Sequence, residues 1–315
     1  MAARILDGKA IRDILLHELA EGVRKASQVG VRPGLAAVLV GDNPASQIYV
    51  RNKIRACRRI GAHSETLRLS AGTTTDELLR TVERLNGREE IDGILVQLPL
   101  PTHISAQRVL AAIAPEKDVD GFHPVNVGRL VSGQPCLAPC TPSGLIEILK
   151  RSGIGIRGRR AVVVGRSNIV GKPTAMLLLA EHATVTVCHS RTSDLPSVCR
   201  EGDILVAAAG RPAMLTREHI RPGAVVLDVG INRIRDAAQA ERFLGHDTAR
   251  LDRFRKTGST LVGDVHPRHV AEVAAAYTPV PGGVGPLTIA MLMSNTLAAS
   301  QRRIPASGGP PPHGA

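Results

Sequence analysis

Strand-like apolar segments alternate with amphipathic helical segments along most of this chain, and this alternation restricts the possible folds more than any other feature. Residues 7–29 carry apolar side chains at helical spacing, and residues 35–40 form an uninterrupted apolar run of strand length. Further segments repeat the pattern, and they are strand-like at 63–69, 91–97, 184–188, 204–208 and 225–229 and helical at 75–86, 105–113 and 141–152. Strands linked through helices pair in parallel. The sequence therefore predicts an α/β fold with parallel sheets.

The alternation is interrupted once, between residues 115 and 140, where proline and glycine are frequent. We place a domain hinge there, and we expect Thr141 to cap the helix that follows. A length of 315 residues is sufficient for two domains with separate cores. The boundary is predicted at residues 145/146.

Charge and composition limit the possible partners. The chain is 43% hydrophobic and 22% charged, as is typical of a soluble globular enzyme, and its formal charge of +12 favours acidic partners. A phosphorylated cofactor and a polyanionic small substrate satisfy this charge as well as nucleic acid does. Aromatic residues make up only 2% of the chain, which gives little support to nucleic-acid binding through stacked bases.

Neither a signal peptide nor an apolar run of membrane-spanning length is apparent, so we expect a cytoplasmic protein without a membrane partner. The five cysteines include no CxxC pair. A disulfide framework and a zinc site are therefore not expected.

Tyr49 and Lys53 are four residues apart in the segment SQIYVRNK, and Gln97 ends the strand-like segment GILVQLPLP. On a helix, this spacing puts an aromatic ring and an amine on the same face. The pairing indicates a flat substrate that contains a ring. The alternative is that Lys53 is an ordinary solvated surface charge.

The segment AVVVGRSNIVGKP, residues 161–173, reads as a buried strand, a glycine-containing turn and a helix. This geometry directs the N–H groups of a helix N-terminus at a phosphate, although the spacing departs from GxGxxG. The next strand ends in His189, Ser190, Arg191 and Thr192, where an NAD-binding fold usually has a carboxylate. Because a carboxylate repels a 2′-phosphate and arginine attracts it, we predict NADP rather than NAD.

Eight segments in register resemble the bifunctional methylenetetrahydrofolate dehydrogenase/methenyltetrahydrofolate cyclohydrolase family, over about residues 4–300. They are SQIYVRNK, GILVQLPLP, PEKDVDGFHPVNVGRL, PCTPSG, VVVGRSNIVGKP, AAAGRP, LDVGINR and PVPGGVGPLT. The resemblance implies a homodimeric enzyme that oxidises 5,10-methylene-tetrahydrofolate with NADP and hydrolyses the product to 10-formyl-tetrahydrofolate. It also implies a catalytic folate-binding domain (1–145), a Rossmann-type NADP-binding domain (146–285) and a final helix (286–301) that returns to the first domain.

The same resemblance assigns residues to the folate. Lys53 would be the catalytic lysine, Gln97 its hydrogen-bonding partner, and Asp120 the catalytic carboxylate that binds the pterin ring. Tyr49 would stack on the aminobenzoate ring, and the loop of Pro281, Gly282 and Gly283 would bring backbone groups close to the substrate. We expect Asp118 to serve the hydrogen bonds of its own loop.

For the cofactor, the resemblance implies a phosphate-contacting turn and two further positions. The predicted cofactor residues are Gly165, Arg166, Ser167, Ser190, Arg191 and Ile231. We expect Arg166 and Arg191 to meet the 2′-phosphate. Taken alone, Ser190 and Ile231 read as an ordinary strand-end hydroxyl and an ordinary packing residue.

The chain departs from the family pattern at two places. A charged, helix-compatible insertion spans residues 236–256, which we expect to be a surface excursion, and His266 stands where many relatives have an acidic residue and is expected to be structural. Residues 302–315 are rich in proline, glycine and serine and are predicted to form a disordered tail.

Three other functions are compatible with parts of the pattern. They are another NADP-dependent dehydrogenase acting on a hydroxy acid or a shikimate-like ring, a basic nucleic-acid-binding module, and a family member that has lost the hydrolase. The first does not explain Tyr49, Gln97 and Asp120 together, and the second predicts steeply salt-dependent binding to DNA or RNA. Intact Lys53 and Gln97 argue against the third.

Overall fold

The computed structural model describes residues 3–245 and 247–304, in which helices and strands alternate as the sequence predicts. The strands are β1 (Arg4–Ile5), β2 (Gly34–Val40), β3 (His63–Leu69), β4 (Gly93–Val96), β5 (Arg160–Val164), β6 (Thr184–Cys188), β7 (Ile204–Ala207), β8 (Val225–Asp228), β9 (Asn232–Ile234), β10 (Thr260–Val262) and β11 (Ala276–Tyr277). The helices are α1 (Gly8–Gln28), α2 (Pro44–Ile60), α3 (Thr75–Asn86), α4 (Ala106–Ala112), α5 (Pro124–Val131), α6 (Cys140–Arg151), α7 (Gly171–Ala180), α8 (Leu195–Arg200), α9 (Ala237–Leu244), α10 (Thr248–Thr257), α11 (Pro267–Val273) and α12 (Val284–Ser300). The predicted α/β fold class is confirmed.

The chain forms two compact units. The larger unit contains Val127–Met291 together with the segment that ends at Ile14, and the smaller unit contains Leu15–Asn126 together with the segment that begins at Leu292. The predicted functional boundary at residues 145/146 stays a prediction, because compactness and function need not divide a chain at the same residue. No helix in the described part of the chain is long and apolar enough to cross a bilayer.

The larger unit is built on a six-stranded parallel sheet with the order β1-β11-β8-β7-β5-β6. Strand β5 pairs with β6 on one side, where Val164 faces Cys188, and with β7 on the other, where Val164 faces Ala207. The chain therefore continues from β5 to one neighbour and then crosses to the other. In parallel sheets, such a crossover leaves a crevice beyond the carboxyl end of the central strand, and ligands bind there.

The smaller unit is built on a three-stranded parallel sheet with the order β3-β2-β4. All seven residues of the central strand β2 are buried. Helix α3 covers this sheet with Leu78, Val82 and Leu85, which belong to the same apolar cluster as residues of β2 and β4. Its start is fixed by a capping box in which Thr74 and Glu77 exchange side-chain and backbone hydrogen bonds. The rigid sheet holds the loops that follow β2 and β4.

The last helix, α12, returns to the first domain as predicted. Its second half belongs to the smaller unit, where Nδ2 of Asn295 donates a hydrogen bond of 2.8 Å to the carbonyl of Val119. In the same half, Met293 lies against Cys57, with 3.4 Å between their sulfur atoms. The chain thus completes the smaller unit with residues from its far end.

The charged insertion is helical and forms α9 and α10, which connect the antiparallel strands β9 and β10 and pack beside them. An apolar cluster underlies it, consisting of Ala213, Ile234, Ala240, Phe243, Leu244, Leu251 and Val262. His266 is the N-cap residue of α11, and its ring stacks on that of His269 with 4.0 Å between centroids. The apolar cluster explains why the mixed-charge insertion folds, because the apolar residues of α9 and α10 pack against β9 and β10.

Two local expectations need correction. Thr141 does not cap α6, because that helix begins one residue earlier at Cys140, and the hydroxyl of Thr141 instead forms a hydrogen bond of 2.9 Å with the hydroxyl of Thr288. The predicted tail does not begin at residue 302: Gln301–Arg303 form a short 3-10 helix, and Arg303 binds the buried carboxylate of Asp92 over 2.7 Å. The rest of the predicted tail, from residue 305, lies outside the described residues.

Candidate active site

Helix α2 carries two of the predicted site residues and is fixed at both ends. The side chain of its N-cap residue, Asn43, accepts hydrogen bonds from two backbone N–H groups of the first turn. Gly61 ends the helix in the left-handed conformation, with φ at 82°, which glycine adopts without strain. Tyr49 and Lys53 therefore lie on one face of a well-defined helix. The ring of Tyr49 is accessible, with 44% of its surface exposed.

Lys53 lies inside the smaller unit and is not a solvated surface charge. Only 8% of its surface is exposed, and its Nζ donates a hydrogen bond of 3.2 Å to Oε1 of Gln97. Gln97 follows β4 directly, and its own Nε2 donates to the carbonyl of Leu98 over 2.6 Å, which orients the amide. A lysine ammonium has three N–H donors. Gln97 takes one of them, and among the described residues no other acceptor is bonded to this amine, so two donors remain for a ligand.

Asp120 supplies a carboxylate close to this amine. Burial raises the pKa of Asp120 to about 6, the charge of Lys53 lowers it, and Asp118 raises it further. Among the described residues, no hydrogen bond donor takes up the carboxylate of Asp120. A carboxylate can accept from two neighbouring N–H groups of one ligand. Asp120 is therefore arranged to receive donors from outside the protein.

Asp118, two residues earlier, has a structural task, as predicted. It is 1% exposed, and its Oδ2 accepts hydrogen bonds from the backbone N–H of His123 over 2.7 Å and from Nδ2 of Asn126 over 3.0 Å. The same amide group of Asn126 also donates to the carbonyl of Pro115. These bonds close the loop and fix the backbone that presents Asp120.

In the larger unit, Gly165 follows β5 at the crossover of the sheet. Its φ is +137°, and a Cβ added there would lie 2.1 Å from the carbonyl oxygen of Ala208. A side chain cannot be accommodated, so the turn can only be made by glycine. The turn leads into α7, whose first N–H groups form the positive end of a ten-residue helix. The shape and polarity of this turn fit a phosphate group.

The predicted cofactor residues lie in this turn and after the carboxyl ends of other strands of the same sheet, and they are largely solvent-exposed. The hydroxyl oxygen of Ser167 accepts hydrogen bonds from the backbone N–H groups of Val170 and Gly171, at 3.2 and 3.3 Å, and its hydroxyl hydrogen remains a donor. Exposed side chains at the carboxyl ends of the strands or in the turns that follow are Arg166, Ser190, Arg191 and Ile231. Within residues 3–245 and 247–304, neither arginine forms an ion pair. Both are available to an anionic ligand.

The loop of Pro281, Gly282 and Gly283 depends on its glycines. Gly282 has a φ of +113°, which a residue with a side chain rarely adopts. The backbone of Gly283 passes so close to α1 that a Cβ on Gly8 would lie 1.7 Å from the carbonyl oxygen of Gly283. The glycines thus fix the backbone of this loop, in which Pro281 is exposed and Gly283 is buried, and its contact with a substrate stays a prediction.

Two buried aspartates that hold the glycine-bearing loops were not predicted as site residues. Oδ2 of Asp264 accepts hydrogen bonds from the N–H groups of Ala209 and Gly210, at 2.7 and 2.8 Å. Asp228 accepts three backbone hydrogen bonds, one of them from Gly230. Burial raises the pKa of Asp228 to about 7, and these donors lower it. The available signal was an aspartate within two residues of a glycine near the end of a short apolar run, in LDVG and VGDV.

The structure thus brings Tyr49, Lys53, Gln97 and Asp120 together in the smaller unit. It places the predicted cofactor residues and the Pro281–Gly283 loop in the larger unit. The chemical roles of these residues stay predictions. The smaller unit provides an oriented amine and a carboxylate of raised pKa, and the larger unit provides a turn whose shape and polarity fit a phosphate group.

Comparison with protein families finds two matches that together span most of the chain. Residues 6–120 match the tetrahydrofolate dehydrogenase/cyclohydrolase catalytic domain, and residues 139–304 match the tetrahydrofolate dehydrogenase/cyclohydrolase NAD(P)-binding domain. Among curated proteins, the chain is similar to the bifunctional protein FolD of Solibacter usitatus, with 58% identity over 300 residues that cover 95% of this chain and 98% of the relative. The FolD protein of Koribacter versatilis is also 58% identical, over 96% of this chain and 98% of the relative.

Two solved structures give the same result. The bifunctional dehydrogenase/cyclohydrolase FolD of Campylobacter jejuni superposes with a TM-score of 0.87 at 42% identity, over 96% of this chain and all of that one. The dehydrogenase-cyclohydrolase of Trypanosoma brucei, solved with NADP and an inhibitor, superposes with a TM-score of 0.86 at 41% identity, over 97% of this chain and all of that one.

Proposed function

The chain belongs to the tetrahydrofolate dehydrogenase/cyclohydrolase family, and we infer that it performs both reactions that the family name describes. It oxidises 5,10-methylene-tetrahydrofolate to the 5,10-methenyl form with NADP and hydrolyses the methenyl form to 10-formyl-tetrahydrofolate. One observation supports the assignment of residues above all: the buried amine of Lys53 donates a hydrogen bond to Gln97 and its charge lowers the pKa of the nearby Asp120.

Asp120 and Tyr49 are proposed to bind the folate. The pterin ring presents an amino group and a ring N–H side by side, and the carboxylate of Asp120 can accept from both. The accessible ring of Tyr49 offers a flat surface for the aminobenzoate ring. Pro281, Gly282 and Gly283 are proposed to add backbone contacts.

The cofactor fits the turn after β5. NADP, when bound, accepts the hydride that leaves the one-carbon bridge of the substrate. Gly165 allows the backbone to approach the phosphates, Arg166 and Ser167 line the same turn, and Arg191 provides a positive charge for the 2′-phosphate. Ser190 and Ile231 are proposed as further cofactor contacts. For the oxidation, these residues serve to position the reactants, and no strong base is required.

The hydrolysis requires proton transfers: water adds to the methenyl carbon, the bond from this carbon to one ring nitrogen breaks, one proton of the water goes to that nitrogen, and the other is released to solvent. Lys53 is proposed to act on this water. Its two N–H groups that do not bind Gln97 can hold the water or the developing oxyanion, and Gln97 fixes the direction in which they point. Lys53 is thus the proposed catalytic group of the second reaction, and Gln97 positions it.

The two activities can be tested by following 5,10-methylene-tetrahydrofolate turnover with purified protein, with NADP+ and NAD+ in parallel. Reduced cofactor and the methenyl form are recorded at separate wavelengths. The proposal expects NADPH to form with little accumulation of the methenyl form. Reduction of the cofactor without hydrolysis of the methenyl form would contradict the cyclohydrolase activity. Absence of reduction with either nucleotide would contradict the function as a whole.

We also propose the following organisation. Residues 1–145 with 286–301 bind folate, residues 146–285 bind NADP, and the enzyme is a cytoplasmic homodimer. Matches of the two family domains to residues 6–120 and 139–304 support the division. The five free thiols of the structure are compatible with a reducing compartment. The molar mass from light scattering, measured as the protein elutes from a size-exclusion column, tests the dimer. Cell fractionation tests the location.

A further inference from the structure

The carboxylate of Asp264 joins two loops at the carboxyl edge of the six-stranded sheet. Asp264 follows β10 and has 0% of its surface exposed. Its Oδ2 accepts hydrogen bonds from the backbone N–H groups of Ala209 and Gly210, which follow β7. Its Oδ1 accepts a hydrogen bond of 2.9 Å from Nδ2 of Asn232, which lies beyond the end of β8. Because β7 and β8 are neighbours in the sheet, one side chain bridges the loops that follow them.

The loop after β7 is in direct contact with the turn at Gly165. A Cβ added to Gly165 would lie 2.1 Å from the carbonyl oxygen of Ala208, the first residue of this loop. The two N–H groups that Asp264 binds belong to the next two residues. Asp264 therefore holds the loop in place beside the turn whose shape fits a phosphate group.

The loop after β8 carries Ile231, which lies between two residues that Asp264 fixes. Before it, Gly230 packs directly on the carboxylate, since a Cβ added there would lie 2.3 Å from Oδ1 of Asp264. After it, Asn232 donates its hydrogen bond to the same oxygen. The side chain of Ile231 is itself 51% exposed. Its position therefore depends on the backbone at either side more than on its own packing.

A second buried carboxylate holds the backbone of Asp264. Oδ1 of Asp228 accepts a hydrogen bond of 2.9 Å from the N–H of Asp264, and Oδ2 accepts one of 2.9 Å from the N–H of Val265. Burial raises the pKa of Asp228 to about 7. Carboxylates held away from water in this way cost stability, and they occur preferentially at functional sites. The pair is better explained by the need to fix these loops than by stability alone.

We propose that Asp264 is a positioning residue for the cofactor, and that its three hydrogen bonds keep the Gly165 turn and Ile231 in the arrangement that NADP requires. The proposal rests on the proposed function, because it concerns the cofactor of the oxidation. Asp264 acts through the two loops and not on the reacting atoms. The hydrolysis uses no nucleotide, and its proposed residues, Lys53 and Gln97, lie in the smaller unit. Loss of Asp264 should therefore separate the two activities.

The decisive measurement compares the two activities of Asp264→Ala with those of the wild-type protein. Oxidation of 5,10-methylene-tetrahydrofolate is followed at varied NADP+ concentration, and hydrolysis is followed separately with added 5,10-methenyl-tetrahydrofolate and no nucleotide. Loss of three buried hydrogen bonds should raise KM for NADP+ about tenfold, with hydrolysis at the wild-type rate. An unchanged KM for NADP+, or an equal loss of oxidation and hydrolysis, would overturn the proposal.

Two further variants test whether the hydrogen bonds themselves are responsible. In Asp264→Asn, the amide oxygen can still accept from Ala209 and Gly210, and the NH₂ group can donate to Asn232 once that amide turns over. This variant should keep a KM for NADP+ close to that of the wild type. A variant as impaired as Asp264→Ala would overturn the proposal.

Asn232→Ala removes only one of the three bonds, at a half-buried position, and decides the question if Asp264→Ala does not fold. It should raise KM for NADP+ about threefold, with hydrolysis unchanged. The matched control is Asp203→Ala. Asp203 accepts a hydrogen bond of 3.0 Å from the N–H of Arg160 and pairs with Arg221 at the amino edge of the same sheet. A rise in KM for NADP+ in this control equal to that of Asp264→Ala would overturn the proposal.

A binding measurement separates failure of the positioning from failure of the function. NADPH is titrated into the full-length proteins without folate, and binding is followed by the fluorescence of the reduced nicotinamide. The dissociation constant should rise about tenfold in Asp264→Ala and stay near the wild-type value in Asp264→Asn and Asp203→Ala. Equal dissociation constants for the wild type and Asp264→Ala, or no binding to the wild type, would overturn the proposal. Absence of folate turnover by the wild type would instead contradict the proposed function, and the titration would still decide about Asp264.

Discussion

The smaller and larger units prepare their sites in different ways. In the smaller unit, Lys53 and Gln97 are oriented by each other and are mostly buried, and Asp120 is presented by a loop that Asp118 closes. In the larger unit, the shape of the site comes from the backbone at Gly165, and the side chains proposed to contact the cofactor are exposed. The folate reactions need groups whose direction is fixed before the substrate arrives. Recognition of the cofactor needs a turn of fixed shape and a few accessible charges.

Replacement of Lys53 should produce the largest effect on activity. Because general acid–base groups typically contribute 10²- to 10⁴-fold, we expect Lys53→Ala to lower the cyclohydrolase rate by about that factor. The methenyl form should then accumulate in the coupled assay. Lys25→Ala, which removes an exposed lysine from α1, is the control and should hydrolyse at the normal rate. Near-normal hydrolysis by the Lys53 variant would show that the buried amine is not the catalytic group.

Replacement of Gly165 tests whether backbone shape dominates in the larger unit. A Cβ at this position would lie 2.1 Å from the oxygen of Ala208, so Gly165→Ala should lower the free energy of unfolding by about 2–4 kcal/mol and abolish NADP binding. Chemical denaturation and a cofactor titration measure the two effects. Gly128→Ala is the matched control, since it lies in α5 with no atom within 4 Å of the added Cβ. If both variants bind NADP normally, the turn does not depend on glycine.

Replacement of Asp120 should improve stability at the expense of activity. Its pKa of about 6 in the folded protein lies above the value of about 3.9 in an unfolded chain. The folded state therefore loses stability relative to the unfolded state as the pH rises through this interval. Asp120→Asn should leave stability almost unchanged at pH 4 and raise it by about 1–3 kcal/mol at pH 8, while folate binding is lost.

Urea unfolding at the two pH values measures this effect of Asp120→Asn. Asp118→Asn provides the contrast, because the carboxylate of Asp118 accepts two hydrogen bonds inside the protein, and its loss should destabilise the fold at pH 8. A stability gain of the Asp120 variant that is the same at pH 4 and pH 8 would contradict the raised pKa.

Replacement of Arg191 should have the smallest effect. An exposed guanidinium contributes about 1 kcal/mol to an ion pair, so Arg191→Gln should reduce the preference for NADP+ over NAD+ about fivefold, mainly through KM for NADP+. Arg200→Gln, in α8 of the same unit, is the control and should leave the preference unchanged. An unaltered preference for NADP+ over NAD+ in the Arg191 variant would show that another residue binds the 2′-phosphate.

The sequence predicted the features that depend on local pattern. Alternating segments indicated the parallel sheets, and the spacing of Tyr49 and Lys53 indicated a shared helical face, because both follow from the geometry of single elements. The hydrogen bond between Lys53 and Gln97 joins residues 44 positions apart and was expected from the family resemblance alone.

Features that depend on distant partners were missed. Thr141 has the residue type of a helix cap, yet its hydroxyl is bound to Thr288, which no local pattern reveals. Asp228 and Asp264 are fixed by backbone groups of several loops, so their importance appears only once the sheet is assembled. Arg303 was assigned to a tail because its neighbours are flexible residue types, whereas the buried Asp92 determines its position.

The division of helix α12 between the two units has a consequence for biosynthesis. The smaller unit contains most of the N-terminal third of the chain, but it also requires residues from Leu292 onward, among them Met293 against Cys57 and Asn295 on the carbonyl of Val119. On the ribosome, the first half of a protein usually folds before the second is made. Here we expect the early segment to complete its packing only after α12 has been synthesised. The smaller unit is thus discontinuous in the sequence, and a chain truncated before α12 would lack the contacts of Met293 and Asn295.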